Sequence, residues 1–286
     1  MGQHSLPQYY LRGFAPTGTK AIWRYEKGKP NPLSLQIKSA AQRKQLYGKV
    51  EAYLAQEIEG PANAILKKIE NREAISDSEK LAFSRYVFVF WKRVEAAFER
   101  FKEKSPKVAH DEMQKLEACL RELEKQNPDK AERCEEIRKD GQRIYNDLAQ
   151  NPTKQIWGKS IQYSNEQMPE VMSKMTWVFY TCTYPDIFIT SDNPVFIHAI
   201  GIGKPHSDMS FPVTKEVALL ATWRKGSNLR YREACPQQIR ELNRRTAFNA
   251  LRFAFASGNK AWITDLLNKP EHQVHLWVQQ FPDKAR

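Results

Sequence analysis

A run of 21 residues, 81–101, carries apolar side chains around most of a helical circumference: Leu81, Phe83, Tyr86, Val87, Phe88, Val89, Phe90, Trp91, Val94, Ala97, Phe98 and Phe101. Such a helix cannot lie on a surface and must be enclosed by the rest of the chain. Ser76-Asp77-Ser78-Glu79 immediately precedes it with the S-x-x-E spacing of a capping box, so its start is specified locally. The pattern predicts a buried central helix with Arg85, Lys92 and Arg93 at its polar edges. Upstream, Val50, Leu54, Ile58, Ala62, Ile65, Leu66 and Ile69 share one face of a second helix, disturbed near Gly60-Pro61.

What encloses the central helix has a different periodicity. Residues 21–25 and 33–37 alternate about Lys27-Gly28-Lys29-Pro30-Asn31-Pro32, which predicts a β-hairpin. Short β-branched or aromatic runs at 175–182, 187–190, 195–197 and 216–223, separated by Pro-, Asp-Asn- and Gly-containing turns, predict consecutive strands. Helices are expected near 165–173, at 236–250 and at 261–268, with further strands at 252–256 and 273–278. Residues 105–150 turn to Glu, Lys, Arg and Gln and break at Asn127-Pro128-Asp129, the pattern of a solvated, charged helical hairpin. The expectation is one α+β domain over 1–286, with 105–150 as a helical hairpin insertion. Its mixed or antiparallel sheet would come mainly from the C-terminal part and pack on the buried central helix.

Charge and cysteine usage narrow the classes of function. Lys and Arg number 45 against 33 Asp and Glu, a formal net charge of +12. A cationic surface attracts polyanions, and RNA or single-stranded DNA is the partner class this implies, with Trp23, Trp157, Trp177, Tyr163 and Tyr231 as aromatics available for stacking. The same aromatics also suit a core. The 105–150 hairpin reads either as a solvated face or as a surface for a protein partner. No run is long and apolar enough for a membrane span, and the opening residues lack the pattern of a secretory signal, so a cytoplasmic protein is expected. Cys119, Cys134, Cys182 and Cys235 have neither zinc-finger nor disulfide-framework spacing. Cys235, before a proline at a helix start, is the thiol placed to feel a helix N-terminus.

Three separated motifs occur in order: H-S-L-P-Q-Y-Y-L-R-G-F-A at 4–15, I-T-S-D-N-P-V at 189–195 and F-P-V at 211–213. Together they resemble the domain of unknown function 4238 family, with Val213 where that family usually has Leu. The resemblance extends from His4 to about Ala256 and implies no particular activity. In the first motif His4, Gln8 and Arg12 fall at i, i+4 and i+8, one stripe if the segment is helical, and His4 could move a proton near neutral pH. In the second, Ser191, Asp192 and Asn193 stand where a strand ends, and Asp192 could act as a base, a metal ligand or an orienter of His4. The competing reading makes both motifs structural clamps, since Asx-Pro sequences build turns.

Further candidates lie elsewhere. Glu51 and Glu59 could hold a divalent metal, although acids on an amphipathic helix are usually solvated. Asn243 and Arg244 would serve a ligand if their helix borders a cleft, Arg244 by neutralising a phosphate; Arg245 is expected at the surface. These residues support three expectations. One is a phosphodiester- or nucleotide-directed enzyme, a nuclease-like effector with a His4/Asp192 site; the second is a non-catalytic nucleic-acid-binding or interaction protein in which the same motifs are structural; the third is a hydrolase of a small metabolite.

Overall fold

The computed structural model describes residues 3–4, 6–43, 50–164, 166–183, 185–198, 201–205, 207–224 and 230–269, of which 3–4, 41–43 and 230 are described by backbone alone. The predicted strand at 273–278 lies outside these residues. A short strand β1 (Gln3–His4) leads into α1 (Gln8–Arg12), then the hairpin of β2 (Ala21–Glu26) and β3 (Leu33–Gln36). The short α2 (Ile37–Ala41) follows, and β4 (Gln42–Arg43) pairs antiparallel with β1. The hairpin has the expected partners, with Trp23 opposite Ser34.

Next come α3 (Glu51–Tyr53), a π-helical turn at Leu54–Glu59 and α4 (Gly60–Glu70). The disturbance expected at Gly60-Pro61 is this π turn, which ends where Pro61 can donate no N–H. Every apolar residue predicted for the inner face, from Val50 to Ile69, is buried. The central helix α5 (Asp77–Arg93) starts at the capping box: Ser76 Oγ accepts the Glu79 N–H, and Glu79 Oε2 accepts the Ser76 N–H at 2.8 Å. It stops sooner than predicted. Val94 is extended, and a separate helix α6 (Glu95–Gln126) begins after it. Arg93 is a correction, being 1% exposed rather than at a polar edge; its charge is paired with the Glu59 carboxylate.

The charged hairpin is α6 with α7 (Ala131–Gln150), reversed at Asn127 and a 3-10 turn, Pro128–Lys130. It starts nearly three turns earlier than its composition suggests, because the first turns of α6 still pack on the core through Ala97. Arg138 of α7 binds Glu117, Glu124 and Glu135, and Gly141 brings the two helices close beside Leu116. After α8 (Lys154–Gln162) and α9 (Gln167–Lys174), β5 (Thr176–Thr181) opens the strand-rich part.

Then follow β6 (Thr190–Ser191), β7 (Phe196–Ile197), β8 (Asp208–Pro212), β9 (Val217–Thr222), β10 (Arg230–Glu233), α10 (Pro236–Asn249), β11 (Phe253–Ala256) and α11 (Ala261–Leu267). A five-stranded sheet has the order β10-β5-β9-β8-β7, parallel only between β10 and β5. A four-stranded antiparallel sheet has the order β3-β2-β11-β6. The fold is therefore α+β with mixed and antiparallel sheets. The first sheet comes wholly from 176–233, whereas the second joins the N-terminal hairpin to strands from the C-terminal part. The main core brings Phe83, Tyr86 and Phe90 of α5 against Phe211 of β8, with Trp177 edge-on to Phe83. No helix among the described residues is long and apolar enough to cross a membrane.

Candidate functional site

The three sequence motifs meet at one phenol. Tyr10 of α1 is 1% exposed; its hydroxyl donates to the Pro212 carbonyl at 2.8 Å and is hydrogen-bonded to Thr190 Oγ1 at 2.7 Å. Its ring stacks on Phe211 and meets Phe90 edge-on. A residue from each motif, Tyr10, Thr190 and the Phe211-Pro212 pair, is thus spent on fixing α1 to β6 and β8. Burial raises the Tyr10 pKa well above its ordinary value, so the phenol stays a donor.

The polar residues of the T-S-D-N-P loop point the other way, into the turn between α10 and β11. Asp192 Oδ1 accepts the Leu251 N–H at 2.8 Å, while Oδ2 accepts those of Arg252 and Phe253 at 2.8 and 3.0 Å. Both carboxylate oxygens therefore serve a backbone nest. Buried Ser191 accepts the Asn193 N–H through Oγ at 3.2 Å. Asn193 Nδ2 donates to the Asn249 carbonyl, and Asn249 Nδ2 donates back to the Asn193 and Val195 carbonyls.

The N-terminal candidates do not form one helical stripe. Pro7 is extended (φ −59°, ψ 134°), so α1 starts only at Gln8, and His4 lies before it in β1, opposite Gln42. The His4 side chain is outside what is described. Gln8 is half-buried, and Arg12 is exposed beside a small cleft of about 150 Å³ with Tyr9, Glu70 and Thr214. Glu59 is engaged by Arg93, and Glu51 is half-buried at the start of α3. Among the described residues no group of three or more His, Cys, Asp or Glu could hold a metal ion.

Asn243 and Arg244 stand in a different place, a groove of about 450 Å³ between α10, α11 and the chain leading to β6. Pro236, Arg240 and Arg244 recur every four residues and so share a face of α10, with Phe248, 49% exposed, one turn further on. Arg240 and Arg244 line the groove with Lys269, and Trp262, 39% exposed, lies across from them on α11. Asp186 and Asp265 add two acids to the same lining. Asn243 braces it: Nδ2 donates to the Ile187 carbonyl at 2.8 Å, and Oδ1 accepts the Ile189 N–H at 2.9 Å.

Behind the groove runs a chain of alternating charge. Arg244 Nη1 donates to Glu241 Oε2 at 2.8 Å, and Glu241 Oε1 lies 3.5 Å from Arg245 Nε. Arg245 then grips Asp208 of β8 with two bonds, 3.0 and 3.2 Å long. Glu241, Arg245 and Asp208 are each no more than 1% exposed. The expectation of a surface Arg245 is corrected: its guanidinium is enclosed by Asp208, Glu241 and the Phe196 ring, 5.1 Å away. Burial raises the Asp208 pKa, with Arg245 opposing that shift. The series fixes Arg244 at the groove from the core outward, so its fork is oriented before any ligand arrives.

Arg240 is absent from the candidates read in sequence, although its place one turn before Arg244 on the same helix is the signal that points to it. Trp262 and Lys269 were not singled out in sequence, since nothing local says that α11 faces α10. Of the aromatics considered for stacking, Trp157 and Trp177 are core, Tyr231 is held by the Glu73 carbonyl, and Tyr163 is 78% exposed at the C-terminal end of α8. Cys235 caps α10 and is buried; burial pushes the Cys182 thiol up to about 12.

Fold and groove define an α+β protein with a preformed cleft edged by cations and one indole. The chain belongs to the family described as protein of unknown function (DUF4238), whose profile matches residues 2–260. No curated protein and no solved structure matches it.

Proposed function

We propose that this protein binds single-stranded nucleic acid or a phosphorylated nucleotide in the α10–α11 groove, as a binding protein rather than a nuclease. The observation that carries the reading is the lining: Arg240, Arg244 and Lys269 around one cleft, with the Trp262 indole in the opposite wall. Guanidinium forks match phosphate oxygens in pairs, an indole face stacks on any base, and the carboxylates of Asp186 and Asp265 can accept hydrogen bonds from base or sugar donors. The formal net charge of +12 favours encounter with a polyanion. Binding without cleavage is supported by Asp192, whose two oxygens accept three backbone N–H groups and so are poorly placed to take a substrate proton or a metal.

The test is fluorescence anisotropy with a labelled oligo(dT) or oligo(U) of about 15 nucleotides, titrated between about 50 and 200 mM salt. The Arg240→Ala/Arg244→Ala variant should lower the slope of log affinity against log salt by about 1.4, at roughly 0.7 per lost phosphate contact. Trp262→Ala should weaken binding by about 5- to 150-fold, the range of one lost base stack. Absence of binding at low salt, or binding that ignores both variants, refutes the assignment.

A further inference from the structure

Another cavity shares no lining residue with the α10–α11 groove and differs from it in chemistry. It holds about 340 Å³ where the charged hairpin joins the core, between the end of α5, the first turns of α6, the end of α7 and α8. Its walls are apolar: Trp91, Phe101, Val108, Leu148 and Trp157. Trp157 is 1% exposed and closes the inner end, whereas Val108 is 57% exposed and stands at the outer end.

The charges on this cavity are all of one sign. Lys92, Arg100 and Lys104 line it, and among the described residues no Asp or Glu does. Two of the three are held in place. Lys92 Nζ donates to the Ser160 carbonyl and to Ser164 Oγ at 2.7 Å. Arg100 Nη2 donates to the Trp91 carbonyl at 3.0 Å, its guanidinium 4.8 Å from the Trp91 ring centre. Lys104, one helical turn beyond Arg100, is exposed. An apolar space of this size with cations and no anions suits a ligand that is apolar along its length and negative at one end. A neutral ligand would leave the cations unmatched, and a cationic one would be repelled.

We propose that this cavity binds a free medium-chain fatty-acid carboxylate, its alkyl chain against Trp91, Phe101 and Trp157 and its carboxylate on Arg100 and Lys104. The site is independent of the nucleic-acid reading and shares no residue with that groove.

The experiment is calorimetric titration of the full chain with octanoate, decanoate and dodecanoate below their micelle concentrations, alongside dodecyltrimethylammonium. Saturable binding of one dodecanoate per chain is expected, with affinity rising about fourfold per methylene until the cavity is filled. The cationic amphiphile should bind at least about tenfold more weakly, a comparison that needs no variant. Lys104→Glu should weaken dodecanoate by roughly tenfold, and Val108→Trp, which adds bulk at an exposed position beside the cavity, should abolish binding; both positions are exposed, so neither change should disturb folding. Equal binding of the two amphiphiles, no dependence on chain length, or no binding of dodecanoate overturns the proposal.

Discussion

Asp192→Asn separates a structural carboxylate from a catalytic one. The native group accepts N–H bonds from Leu251, Arg252 and Phe253 at 2.8, 2.8 and 3.0 Å. An asparagine that keeps its carbonyl toward Arg252 and Phe253 turns its amide toward the Leu251 N–H, so one bond becomes a donor–donor contact. The other two pass from charge-assisted to neutral. One unsatisfied N–H costs about 1–3 kcal/mol, and losing the charge from two bonds costs about 0.5–1 kcal/mol each. Leu251 is 45% exposed, so water takes up part of the loss, and the expected net is about 2–3 kcal/mol. For a chain of this length that lowers Tm by about 5–10 °C. Calorimetry and urea unfolding of the variant measure the loss, and oligonucleotide anisotropy checks that affinity is unchanged below the melting range. Wild-type stability with lost binding would sink the argument, because it would place Asp192 in a binding or reacting role.

Two further outcomes test the same physical account. Tyr10→Phe keeps the packing on Phe90 and Phe211 but strands the Pro212 carbonyl and the Thr190 hydroxyl in the core; urea unfolding should show a loss of about 2–3 kcal/mol, and a loss under about 0.5 would contradict the role given to this phenol. Burial lowers the Lys92 pKa to about 8 from 10.5. The unfolded chain therefore binds more protons across that interval, and unfolding free energy should rise as pH rises from about 8 to 10.5. The full shift is not realised as stability because part of the side chain meets solvent, so the rise should be about 1–2 kcal/mol relative to Lys92→Met measured at both pH values. Parallel pH profiles for the two proteins would show that Lys92 is not the group responsible.

Local chemistry was readable wherever the chain satisfies itself. The Ser76/Glu79 box, the break at Asn127-Pro128, the β2–β3 alternation and the start of α10 at Pro236 each depend on residues a few positions apart. What could not be read depends on distant partners. Strand β8 is buried at all five positions and shows no alternation, so its place between β7 and β9 is set by neighbours and not by its own pattern. Glu241 and Arg245 look like a solvent-facing pair at i, i+4; they are buried because Asp208, on a different element, supplies the third charge. The site was half legible for the same reason. Asn243 and Arg244 could be proposed from one helix, but the groove exists only where α11 and the residues after it bring Trp262 and Lys269 to the same cleft.

The four-stranded sheet also imposes a timetable on synthesis. Its hairpin, β2 with β3, emerges early, yet the other edge of β2 waits for β11, which arrives near the end of the chain with Phe253 destined for Glu26. Until then β2 offers an open row of N–H and C=O groups, the kind of edge that recruits other chains. The α6–α7 hairpin is under no such delay, since its two helices adjoin in sequence and can close as soon as both are made. A nascent chain halted before Phe253 would thus carry a finished helical arm together with a sheet edge still open to pairing.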